Sequence, residues 1–366
     1  MHIPRRRALV LLGSALIAPK VFGQVTSHES RVTTFAPVVP GHKIRFPDDE
    51  GSHPAFRVEW WYVTGLLDGA APTPVGFQVT FFRVRPAHES DNPSAFTPRQ
   101  ILIAHAALSD PRRGKLVYQQ RAARVGFELA EALPGRTAVW IDDWALDENN
   151  AGYRIKLPAR EFGLDFMLTA TQPPLLNGER GYSRKGPAQQ SASYYYSLPQ
   201  LAVRGTLLYG NNTRPVTGKA WLDHEWSSSY LDERASGWDW IGINFDDGSA
   251  LMAFRIRDRQ GNRFWAGATH RAASGMTRTF APEAVRFNAA RHWQSARTGT
   301  RYPIAWSITA GEVVVNVEPY MEDQEQDAGT TTGAVYWEGA VQAFSNGARV
   351  GSGYLELTGY GKPLRL

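Results

Sequence analysis

Apolar and polar positions alternate in short runs along most of the chain, with breaks at Gly, Pro, Asn and Asp, and almost no stretch sustains a helical period. The pattern predicts strands at Val58–Leu67, Gly76–Arg85, Ile101–Ser109, Val139–Trp144, Gly152–Leu157, Phe162–Ala170, Trp238–Phe245, Ala250–Arg257, Val313–Pro319 and Tyr354–Tyr360. Asp246-Asp247-Gly248 and Asn149-Asn150-Ala151-Gly152 read as hairpin turns. Strands every ten to fifteen residues joined by tight turns suit an antiparallel meander that closes on itself. The pattern occurs twice, at about 45–170 and 236–366, and the densest cluster of unusual residues lies between. Pro86–Arg99, Pro173–Ser193 and Glu322–Gly333 read as long loops, the second as a lid and the acidic Glu322–Asp327 stretch of the third as a solvated tip.

Composition narrows the class. A chain of 366 residues, 43% hydrophobic and 20% charged, is globular and long enough for two domains. The net charge of +5 suggests a nucleic-acid or membrane partner until its placement is considered. Arg5, Arg6, Arg7 and Lys20 fall in the first 23 residues, which hold no acid, so the remainder is nearly neutral and no nucleic-acid partner is expected. Those residues form a basic segment, an apolar run from Ala8 to about Ala18 and a Val21-Phe22-Gly23 cleavage pattern, the layout of a secretory signal, with Arg6-Arg7 suggesting the twin-arginine route. The run is too short to span a bilayer, so the mature protein is expected in the periplasm or secreted, and not itself membrane-spanning. Cysteine is absent, which excludes disulfides, thiolate metal sites and thiol nucleophiles.

The 12 Trp, 14 Tyr and 17 Phe cluster, and acids sit among them. The motifs are Val58-Glu59-Trp60-Trp61-Tyr62, Trp221-Leu222-Asp223-His224-Glu225-Trp226, Gly237-Trp238-Asp239-Trp240 and Tyr336-Trp337-Glu338-Gly339. A carboxylate walled by tryptophan loses hydration, its pKa rises, and it becomes a proton donor near neutral pH. Residues two apart on a strand share a face, so His224 and Trp226 oppose Asp223 and Glu225, and Trp238 and Trp240 oppose Asp239. Parity alone leaves open which face is inside. There is no nucleophile elbow, zinc-protease helix, P-loop or dinucleotide fingerprint. Asp223, His224 and Glu225 alternate faces, which disfavours a shared metal; neither metal nor cofactor is expected.

At these motifs the chain resembles the AttH-like and carotenoid hydratase (hydroxyneurosporene synthase) family. The matching stretches are VEWWYVTGLL at 58–67, FQVTFFR at 77–83, AHAALSD at 104–110, YYYSLPQLAVRGTL at 194–207, GKAWLDHEWSSSYL at 218–231 and GWDWIGINFDDGSALMAFRIRD at 237–258, with YWEGAV and GSGYLELTGY near the C-terminus. The resemblance implies an all-β protein of two lipocalin-like (calycin) antiparallel β-barrels packed together. The expected division is a signal at 1–23, an extension at 24–44, one barrel domain at 45–222 and a second at 223–366. It also implies an elongated apolar pocket where the barrels meet and an acid that protonates an isoprenoid double bond. His224 and Trp226 match the family's His-x-Trp element. The hydratases' Tyr-x-Asp pair has no counterpart, since Leu251-Met252-Ala253-Phe254-Arg255 contains no acid.

The expectation is an apolar small-molecule ligand, isoprenoid or lipid, undergoing acid-assisted hydration, cyclisation or hydrolysis. His224, Asp239, Glu225 and Asp223 are the catalytic candidates, and Glu59, Trp60, Trp61, Tyr62, Tyr195, Trp226, Trp238 and Trp240 the binding wall. The alternative is a carrier serving a membrane exporter.

Overall fold

The structure is a computed structural model that describes residues 35–69, 73–87, 94 and 97–364. The signal expected at 1–23 and most of the 24–44 extension lie outside the described residues. What is described is almost entirely β-strand, with three single turns of 3₁₀ helix at Asp48–Glu50, Pro111–Arg113 and Pro282–Ala284. Among the described residues no helix is long and apolar enough to cross a membrane.

Two antiparallel sheets of 13 and 10 strands form two lipocalin-like barrels packed against one another. In the first, Val58–Asp68 pairs on one side with Val75–Val84 and on the other with Asn212–Ser227, so the end of this sheet's sequence closes onto its beginning. The second repeats the device, with Ala235–Phe245 between Ala250–Asp258 and the C-terminal Ala348–Leu357. Both turns read from the sequence join adjacent strands. The first sheet runs to Ser227 and the second starts at Ala235, so residues 228–234 connect the barrels. A boundary between 222 and 223 would cut the Asn212–Ser227 strand.

That strand and its partner Ala192–Tyr209 form a long hairpin at the heart of the molecule. Pro199 breaks its hydrophobic pattern, and the register shifts there between Leu198 and Leu201. In this bulge Gln200 takes a φ of 58°. Its amide nitrogen donates to the carbonyls of Phe245 (2.8 Å) and Ser249 (3.0 Å) on the second barrel. The bulge thus re-aims a polar side chain into the joint.

Each barrel has its own apolar interior, the first around Trp61, Phe77 and Trp144, the second around Ile241, Trp306 and Trp337. A third apolar cluster, including Tyr62, Tyr195, Trp221, Trp240, Phe254 and Tyr354, lies between them. Two expected loops are structured. Pro173–Ser193 contains Leu175–Leu176 and Tyr182–Arg184, both paired to the central hairpin. The acidic 322–333 segment is no solvated tip: Gln324, Glu325 and Gln326 are buried, and Asp323 accepts from the Leu116 amide of the first barrel (2.9 Å).

Candidate functional site

Strand parity sorts the flagged residues into three separate environments. On Val58–Asp68, Trp61 and Val63 fill the first barrel while Tyr62 faces the second, with Trp60 packed beside it. On Asn212–Ser227, Leu222 and Trp226 point inward, and Trp221 faces the inter-barrel space. On Ala235–Phe245, Ile241 and Ile243 enter the second barrel, and Trp238 and Trp240 face the first. Between these outward faces lies a cavity of about 80 Å³, lined by Trp60, Tyr62, Phe82, Asp223, Glu225, Tyr230, Trp238, Trp240, Glu338 and Glu356. At about 80 Å³ this space is small beside the ~300–1,000 Å³ of most small-molecule pockets.

Four carboxyl groups converge here. Asp223 accepts from the Tyr195 hydroxyl (2.6 Å), the Ser197 hydroxyl (2.5 Å) and the Trp221 indole (2.6 Å). Burial nevertheless pushes it up to about 7, outweighing those three donors. Tyr195 in turn accepts from the Trp240 indole at 3.0 Å, which fixes its hydroxyl toward Asp223. Glu225 accepts from the Ser193 hydroxyl and pairs with Lys185 Nζ at 2.8 Å. Burial raises Glu225 and lowers Lys185 from their ordinary values, each partly offset by the other's charge. The Lys185 ammonium also lies 4.2 Å from the centre of the Phe254 ring and 4.9 Å from that of Tyr195.

Glu338 and Glu356 sit directly opposite each other on the paired strands Ala334–Ser345 and Ala348–Leu357. Burial and the Glu356 charge hold Glu338 well above the carboxylate range. Burial raises the half-buried Glu356 to about 7 against a 2.8 Å hydrogen bond from the Trp238 indole. Glu338 Oε1 and the Tyr62 hydroxyl are buried and line the cavity, and the Tyr62 hydroxyl partly offsets the rise in Glu338. Four carboxyls facing one ammonium in an aromatic enclosure cannot all be ionised at acceptable cost, so the cluster holds protons at neutral pH.

The first barrel's interior holds a different cluster. Glu59 accepts from Arg83 Nε (2.7 Å), His224 Nε2 (2.9 Å) and the His53 ring (2.7 Å) and backbone amide (2.9 Å). Burial alone would raise Glu59, but Arg83 and His53 hold it well below the carboxylate range. Burial depresses His224, which also bonds the Tyr196 hydroxyl at 3.1 Å and stacks on Trp61. His53, Glu59 and His224 are the described residues close enough to share a metal ion. Their central carboxylate is already saturated by donors, including a guanidinium, so the chemistry of the set is that of an ion-paired brace rather than a metal cradle.

His224, Trp61 and Trp226 therefore do not share a wall with the outward tryptophans. Asp239 is elsewhere again: inside the second barrel it pairs with Arg255 (2.6 Å) and Arg257 (3.2 Å) and accepts from Tyr360 (2.7 Å). Its flanking tryptophans project from the opposite face of the strand, so they do not wall it. The structure brings Asp223 and Glu225 together with Trp60, Tyr62, Tyr195, Trp238 and Trp240 and apart from His224 and Asp239; Glu59 borders the cavity, but its carboxylate is bound to His224 and Arg83. Glu338 was visible as an acid in an aromatic motif, and Glu356, two residues after Tyr354, carries a weaker form of that signal. Lys185, alone in an apparent loop, carries none.

The fold has known relatives. A crystal structure of a protein provisionally identified as AttH, from Nitrosomonas europaea, superposes with a TM-score of 0.84 at 51% identity, covering 89% of this chain and 100% of that one. Kievitone hydratase from Nectria haematococca is similar in fold at 15% identity, covering 90% of this chain and 98% of its own, with a TM-score of 0.65. CghA matches at 12% identity over 91% and 98% of the two chains, with a TM-score of 0.50. No curated protein sequence matches the chain. The AttH-like family model matches residues 37–360, and the chain belongs to the AttH-like family.

Proposed function

We propose that the inter-barrel cavity receives the unsaturated end of an apolar molecule, isoprenoid or lipid, and adds water across its double bond. The observation that carries this reading is the directly opposed pair Glu338 and Glu356 among Trp60, Trp238 and Tyr62. Protonated Glu338 gives its proton to one alkene carbon, and the tryptophan faces stabilise the cation left on the other. Water attacks that carbon and loses a proton to Glu356 or Asp223, restoring the charge balance. The hydratase-like fold supports this assignment, and the cavity's size restricts it to the reacting terminus rather than a whole long chain. The leader-like first 23 residues support a periplasmic or secreted setting.

The test is to extract the lipid bound to purified protein, incubate it with wild type and Glu338→Gln in ¹⁸O-water, and follow it by mass spectrometry. Wild type should yield a product carrying one added labelled water, and Glu338→Gln should not. Lipid returned unchanged by wild type under every condition would favour the carrier alternative and overturn the reading.

A further inference from the structure

The second barrel holds a polar cluster that the inter-barrel chemistry does not use. Asp239 and Arg255 are register partners on adjacent strands, and Arg257 follows on the same face. Asp239 lies between the two guanidinium groups, bonded to Arg255 Nε at 2.8 Å and 3.2 Å from Arg257 Nε, with the Tyr360 hydroxyl donating to it. One carboxylate against two guanidiniums leaves a surplus positive charge. Both arginines line an open cavity of about 520 Å³ at the mouth of this barrel, a volume within the range of small-molecule sites.

The walls are apolar and one donor is unsatisfied. Phe287 and Trp306 meet edge to face at 5.8 Å, and the Arg255 guanidinium lies 5.0 Å from the centre of the Trp306 ring. Trp306 is 2% exposed and forms part of the cavity wall, and its enclosed indole N–H has no hydrogen-bond partner among the described residues. At the rim, Asp258 is occupied by its own turn, accepting from the Gln260 and Asn262 amides. Burial and the nearby Arg301 keep His292 below the ordinary histidine value, hence neutral at pH 7, and Arg259 adds a further cation.

We propose that this cavity is a second ligand site, for a monocarboxylate with an apolar body. The carboxylate is held by Arg255, and the body lies along Phe287, Pro303 and the Trp306 ring. Arg255, Arg257 and Arg259 against Asp239 and Asp258 leave one surplus positive charge, which matches a monoanion, and the aromatic walls reject one without apolar surface. Asp239, flagged in the sequence as an acid, here orients the arginines.

The full chain is titrated calorimetrically with sodium decanoate and 1-naphthoate, with 1-decanol and inorganic phosphate as controls. One-site binding is expected, about tenfold or more tighter for decanoate than for decanol, and undetectable for phosphate. Naphthoate binding better than decanoate would assign the site to aromatic acids, and the reverse to aliphatic ones. Arg255→Met leaves Asp239 paired with Arg257 and should remove the preference for decanoate over decanol. Trp306→Phe keeps an aromatic wall and should leave the preference for decanoate over decanol in place. Equal affinity for decanoate and decanol, phosphate binding as tightly as decanoate, no binding at millimolar concentration, or an unchanged decanoate preference in Arg255→Met would each overturn the proposal. None of these outcomes bears on alkene hydration at Glu338, which the labelled-water experiment reads separately.

Discussion

Two faces of the Asn212–Ser227 strand carry opposite kinds of buried charge. Inward, Glu59 of the neighbouring strand meets His224, with Arg83 and His53 completing a set of donors that keeps it ionised. Outward, Asp223 and Glu225 join Glu338 and Glu356 with Lys185 as their one ion-pair partner among the described residues, so protons are retained. Both clusters are buried and both are ringed by aromatics. What separates a brace from a proton donor is the ratio of cations and donors to acids, not burial or the presence of tryptophan.

The sharpest break of this contrast is at the brace. Arg83→Leu strands the Glu59 charge in the first barrel's core and is expected to cost about 3–5 kcal/mol, read as a large fall in the denaturant midpoint. Glu338→Gln removes a proton donor without stranding a charge. It should leave the midpoint near wild type while lowering hydration about 10²–10⁴-fold, measured by the labelled-water assay.

The pH response should also divide the two clusters. Asp223 and Glu356, raised to about 7 when folded, bind more protons folded than unfolded between about pH 4 and 7. Their effect on stability is therefore most favourable below the unfolded carboxyl values and is lost as pH rises through 7. Glu59 acts in reverse, with stability present above about pH 4.5, the unfolded glutamate value, and lost on acidification through its depressed folded value. Thermal unfolding from pH 2 to 8 should show Glu356→Gln losing part of the decline toward neutrality while Glu59→Gln loses part of the acid limb. The smallest effect is expected from Ser197→Ala, which removes one donor from Asp223. It should cost about 1 kcal/mol and move the Asp223 titration upward, readable by carboxyl NMR.

Much of the fold was legible because alternation and turn residues are local. The central hairpin was missed where Pro199 interrupts the pattern, a break the structure absorbs as a bulge. Parity correctly split His224 from Glu225 and Trp238 from Asp239, since side chains alternate on any strand. Which side became cavity depended on how each sheet closes and on the packing of one barrel against the other, which no local pattern encodes. Glu356 matters through its register with Glu338, and Lys185 because Tyr182–Arg184 pairs with the central hairpin; both are long-range facts.

The most direct test of the account is infrared titration of the carbonyl stretch of protonated carboxyl groups in the folded protein. Wild type should show this band at pH 6.5, part of it titrating near 7 and part persisting above, and the combined Asp223→Asn, Glu338→Gln, Glu356→Gln variant should lose most of it, including the part that persists above 7, leaving the contribution of Glu50, which burial and Glu148 raise to about 7. A wild-type protein with no protonated carboxyl band at pH 6.5 would contradict the claim that the inter-barrel acids hold protons.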